Sequence, residues 1–142
     1  MSSTVSAELE LRLVESPELV VPLIASLFYN RSDPYAIRIE FRADEHVEWV
    51  FARDLLAMGM VDREGPGDVT VWPSAGSAGS AEETPGDVLN IELSSPFGRA
   101  HFEAPIARIS DFLRRTYQLV PAGEESEHID FDAGLDELLR RA

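Results

Sequence analysis

The sequence contains no cysteine, no lysine and no apolar run long enough to cross a bilayer. The first absence excludes disulfides, thiolate nucleophiles and Cys-ligated metals. The second leaves Arg to carry all 12 positive charges against 26 carboxylates, for a formal charge of −14. Only Arg114-Arg115 and Arg140-Arg141 are adjacent, so there is no cationic track to displace counterions from phosphates. A nucleic-acid or anionic-lipid binder is therefore disfavoured. The third absence, judged against the ~20 apolar residues that a spanning helix needs, argues against membrane insertion. The opening MSSTVSAELELRL has no basic start followed by an apolar block and does not read as a signal peptide, so the expected location is the cytoplasm.

The 142 residues are 44% hydrophobic, with apolar side chains spread along most of the chain, which suits a single globular domain over 1–142. Strict alternation marks the first half. Val5, Ala7, Leu9, Leu11 and Leu13 share one face of a strand over Thr4 to Leu13, with Glu8, Glu10 and Arg12 opposite. Leu19 to Tyr29 reads as a second strand, in which Pro22 requires an edge or a bulge. Tyr35 to Arg42 alternates again, placing Arg38 and Arg42 on the polar face. Val47, Trp49 and Phe51 continue the buried face in a fourth strand.

At Arg53 the spacing becomes helical, with Asp54 in the first turn and Gly59 placed to end a short helix in a left-handed cap. The stretch DVTVWP reads as a strand closed by Pro73, and 74–86 as a flexible loop of small polar residues. Strands over Val88 to Leu93 and Arg99 to Ala104 follow. Pro105 then opens a helix whose stripe is Ile106, Ile109, Phe112, Leu113 and Tyr117, with Arg114 and Arg115 late in it. A short strand at Ile129 to Phe131 and a terminal helix over about 133–141 complete the reading. The order is strands then helix, twice, so the expected class is α+β: two antiparallel sheets, each covered by a helix.

No chemistry stands out. His46, His101 and His128 have no metal-ligand spacing, the serines form no GxSxG elbow, and the glycine-rich loop lacks a phosphate-reaching Lys. These observations point to no enzyme, no cofactor and no metal. Trp72 alternates with Val69 and Val71, so core and protein interface are both open to it. The mixed-sign strand faces, Glu8 and Glu10 with Arg38 and Arg42, suit cross-strand charge pairing or protein recognition. Trp72, Glu8, Glu10, Arg38 and Arg42 are therefore the candidate interaction residues.

Several blocks, in order, carry a resemblance. TVSAELELRLV, SDPYAIRIEF, VEWVFARDLL, GDVTVWP, LSSPFGRAHFEAP, FLRRT and IDFDAGLDELL resemble the SsgA-like proteins of actinomycetes, over nearly the whole chain. The 74–86 loop is the clearest departure from that pattern. The resemblance implies a non-enzymatic cytoplasmic adaptor at the sporulation septum. Its implied partners are the tubulin-like division GTPase FtsZ and an SsgA-type paralogue. The resemblance also implies a whirly-like fold with two curved sheets and homo-oligomers, a trimer among them. That fold in turn suggests an alternative function, single-stranded nucleic-acid binding, which the charge disfavours.

Overall fold

The computed structural model describes residues 3–42, 46–65, 67–75 and 87–128. The strands are β1 (Thr4–Ser16), β2 (Leu19–Asn30), β3 (Asp33–Arg42), β4 (His46–Ala52), β5 (Val69–Ala75), β6 (Asp87–Ser95) and β7 (Gly98–Pro105). Helix α1 (Arg53–Gly59) follows β4, and α2 (Ile106–Leu119) follows β7. A 3-10 turn occupies Glu125–His128. The expected strand at 129–131, the terminal helix and most of the 74–86 loop lie outside the described residues.

All seven strands form one antiparallel sheet in the order β4-β3-β2-β1-β7-β6-β5, so the two expected sheets are in fact two meanders joined. The seam is short: β1 meets β7 only at Arg12↔Glu103 and Leu13↔Phe102. A duplicated strand–helix pattern in sequence cannot reveal that the first and last strands pair, because such pairing leaves no local signal. Helix α1 touches β3 and β4 at one edge of the sheet and β5 at the other, so the sheet curls into a half-barrel around it.

The alternation in β1 sets the inner face. Val5, Leu9 and Leu11 are buried with Leu27, Ile37, Ile39, Leu89 and Ile91, and both helices cover this side. The stripe expected of α2 is the one observed, with Ile109, Phe112, Leu113 and Thr116 buried and Ile106 and Tyr117 half-buried. Phe41 of β3 stacks on Phe102 of β7 at 4.5 Å between centroids, tying the meanders together inside the curl. Pro22 sits where β2 is locally an edge: it faces Arg12 on β1, while β3 pairing starts only at Ile24. The strand expected to close at Pro73 continues to Ala75, which an edge strand tolerates because the missing N–H faces no partner.

Gly59 differs from the expected left-handed cap. It is buried inside α1 and is not among the positive-φ glycines. A Cβ there would come within 2.6 Å of Val71 Cβ, so the glycine lets α1 lie directly on β5. Gly98, at φ +142° at the tip of the β6–β7 hairpin, is one of three described glycines, with Gly65 and Gly123, that do use glycine's freedom.

The register places the hairpin tips β1–β2, β3–β4 and β6–β7 at one end of the half-barrel. Both helices follow strands that finish at the other end.

Candidate protein-docking surfaces

At the helical end lies a side chain that pattern reading missed. Arg53 is 1% exposed. Its Nη1 donates to the carbonyls of Thr116 (3.2 Å) and Val120 (2.8 Å), and its Nη2 pairs with Glu125 Oε2 at 2.9 Å. The guanidinium plane rests 4.1 Å from the Tyr117 ring centre and 4.9 Å from that of Tyr29. Helix α2 has no basic residue in its last turn. Arg114 instead pairs with Asp111, and Arg115 reaches the Ser6 carbonyl. The cation that satisfies the C-terminal carbonyls of α2 therefore comes from α1.

Burial raises the Tyr29 hydroxyl to about 12 against the pull of Arg53, and raises that of Tyr117 for the same reason. Glu125 is held below the usual carboxylate range by its own backbone N–H first, then by Arg53 and Gly123. This is a structural latch: every partner of Arg53 is an internal group, and no bond-making chemistry is offered.

The outer face of the sheet carries the residues nominated from sequence. Arg42 pairs with Glu8 at 2.7 Å, and Arg38 lies 3.8 Å from Glu48 and over the Phe28 ring at 4.5 Å. Glu10 is exposed on the same face, so Glu8, Glu10, Arg38 and Arg42 share one surface. A cleft of about 390 Å³ opens there, with Phe28, Arg38, Val50 and Asp33 among its walls.

Trp72 lies apart from these residues, on β5. It is half-buried between the Arg63 guanidinium (4.4 Å) and the His101 ring (5.3 Å). His101 Nε2 bonds Asn90 Oδ1 at 2.8 Å, and Asn90 Nδ2 donates to Ser74 Oγ and to the Trp72 carbonyl. Among the described residues no three His, Cys, Asp or Glu side chains gather as metal ligands.

The tip end is different. The inner face there is not covered by a helix, and a groove of about 340 Å³ runs between the meanders, walled by Leu13, Leu23, Trp49, Phe97 and Phe102. Phe97, on the β6–β7 tip, is 99% exposed. Val47, expected to be buried, is 39% exposed at this mouth, while Phe51, four residues nearer the helices, is buried. The alternation of β4 identified the correct face; how far the helices reach along it is a tertiary property with no sequence signal. Trp49 is half-buried along the groove wall.

Comparison with known proteins agrees with this architecture. The family described as "Streptomyces sporulation and cell division protein, SsgA" matches residues 23–125. The sporulation-specific cell division protein SsgB of Thermobifida fusca is 47% identical over 139 residues, covering 96% of each chain. SsgB of Streptomyces coelicolor is 49% identical over 141 residues, covering 98% of each. The crystal structure of an SsgA-like sporulation-specific cell division protein from Thermobifida fusca superposes with a TM-score of 0.80 at 47% identity, over 96% of this chain and 98% of that one. A second solved structure, described as "Mutations in SsgB correlate to longitudinal cell division during sporulation of Streptomyces coelicolor", gives a TM-score of 0.80 at 49% identity, over 88% of this chain and 94% of that one.

Proposed function

The chain belongs to the SsgA family of sporulation and cell division proteins, and from that premise we propose that it serves sporulation-specific division as a non-enzymatic adaptor. The observation that carries this reading is the apolar groove at the tip end, open to solvent and rimmed by a fully exposed Phe97. Large apolar surface left uncovered in a folded chain is what docking surfaces retain. Of the buried charged side chains among the described residues, Arg53 and Glu125 are consumed in the latch, and Glu103 lies apart from it on β7 at the seam with β1.

In this proposal the chain works at the septum and docks division proteins, FtsZ foremost and an SsgA-type paralogue with it. It assembles with its own copies, and one domain of whirly-like form serves as the platform. Single-stranded nucleic-acid binding is the weaker reading. Arg38 and Arg42 lie against carboxylates and Arg63 is stacked on Trp72, so these three cations are already engaged and not free to meet a phosphate backbone.

The test is capture of purified FtsZ by the immobilised protein, repeated with Phe97→Ala. Capture by the wild type and loss with the variant at unchanged thermal stability are expected. Absence of capture by the wild type removes FtsZ as a direct partner. Retention by the variant removes the groove from that contact.

A further inference from the structure

Strand β4 ends the sheet, and among the described residues its second edge has no strand partner. It has few of the features that usually protect an edge: it contains no proline, no lysine and one carboxylate, Glu48. Its side chains are unusually apolar for such a position, with Val50 57% exposed on the outer face and Val47 39% exposed on the inner. Each face of the sheet also has a concavity beside this strand. The groove at the tip end is lined by Val47 and Trp49, and the outer cleft by Val50 and Arg38.

Helix α1 bridges β4 and β5 where β4 ends, which leaves the gap in the half-barrel to be filled nearer the tips. Unpaired backbone groups along an edge call for an extended chain, and concavities on alternate faces call for alternating side chains. Charge decides the rest. Glu48, loosely paired with Arg38 at 3.8 Å, and Asp54 are the charged exposed residues on β4 and at its exit, in a chain of net charge −14. A second copy would bring the same negative charge to the contact.

We propose that the free edge of β4 receives an extended segment of a partner protein as an eighth strand. Alternate apolar side chains of that segment enter the groove beside Trp49, and Lys or Arg side chains on its other face meet Glu48. This assignment rests on the adaptor reading and specifies the partner's chemistry: a cationic, alternating β-segment.

The experiment uses the full chain and a seven-residue capped peptide, Lys-Val-Lys-Leu-Lys-Val-Lys, equal in length to β4. Two further peptides carry N-methyl groups on alternate residues, one set on each edge of the peptide. Binding is followed by Trp49 fluorescence in a Trp72→Phe background and by amide exchange in β4. The expected result is saturable binding that protects β4 amides. One methylated isomer should bind about as well as the parent and the other at least about tenfold more weakly. Glu48→Arg should also weaken binding by about tenfold.

No binding, or equal loss or retention with both isomers, overturns the proposal. Exchange protection at the β4 edge without peptide also overturns it. If that protection is independent of protein concentration, the occupant is the chain's own remaining residues; if it rises with concentration, the occupant is a second copy. Unaltered FtsZ capture alongside failed peptide binding would discard the eighth strand and leave the adaptor role standing. Peptide binding without FtsZ capture would do the reverse for that named partner.

Discussion

Arg53, the first residue of α1, donates a 2.8 Å hydrogen bond to the carbonyl of Val120, the residue that ends α2. That contact joins the two helices and, through Glu125, fixes the 3-10 turn beyond them. Removing one member of a buried, hydrogen-bonded ion pair strands the other. Arg53→Ala should therefore cost about 3–5 kcal/mol, read from the urea midpoint. Arg53→Lys should recover only part of this, because an ammonium lacks the planar fork that reaches two carbonyls and lies flat on Tyr117. A loss below about 1 kcal/mol for Arg53→Ala would show that the latch contributes little.

The Tyr29 hydroxyl is raised to about 12, so the folded chain holds its proton where the unfolded chain gives it up. Its stabilising contribution is complete below about pH 10 and is lost as the pH climbs towards 12. Two pH units correspond to about 2–3 kcal/mol. Tyr29→Phe should flatten this alkaline decline, while losing the hydrogen bond to the Pro34 carbonyl at a cost of about 1 kcal/mol at neutral pH. Denaturant titrations from pH 8 to about 12 make the comparison.

Glu125 has the opposite sign. Its carboxyl is lowered from 4.5, so its contribution is present above that value and disappears as the pH falls through the lower folded-state value. The turn at Glu125–His128 should open first in acid, seen as early exchange of the Gly123 amide, which Glu125 accepts at 2.8 Å. Glu125→Gln should abolish that acid-dependent opening. Equal exchange profiles for the two proteins would rule out the carboxylate as its cause.

Replacing a helical glycine by alanine ordinarily gains up to about 1 kcal/mol. Gly59→Ala should reverse this sign, because the new methyl collides with Val71, and the overpacking costs about 1–3 kcal/mol. Thermal unfolding of Gly59→Ala beside Gly59→Ala/Val71→Ala checks the cause: the second change should restore part of the loss if Val71 is the obstacle.

Local rhythm revealed much of the fold and little of the docking surface. The alternation of β1 and β3 was readable because each strand has one face in the core and one in water. The α2 stripe was readable for the same reason at helical period. Arg53 marked only the point where the spacing becomes helical, because nothing near it in sequence indicates that Thr116, Val120 and Glu125 will converge on it. Gly59 looked like a terminator because a glycine that ends a helix and one that admits a neighbouring strand are the same letter. The charged candidates Glu8, Glu10, Arg38 and Arg42 do share a surface, whereas Trp72 stands at the far edge, since distance across a sheet depends on strand order. The groove is composed of residues from both meanders, Leu13 and Trp49 with Phe97 and Phe102, and it exists only because β1 meets β7.

That junction has a mechanical meaning. Two residue pairs are a narrow weld between sheets of four and three strands, so tension drawing the meanders apart concentrates on Arg12–Glu103 and Leu13–Phe102. Helix α2 lies across the weld, touching β1 on one side and β6 and β7 on the other, and acts as its splint. Load applied across the sheet would open it along this line first, with α2 spanning the break.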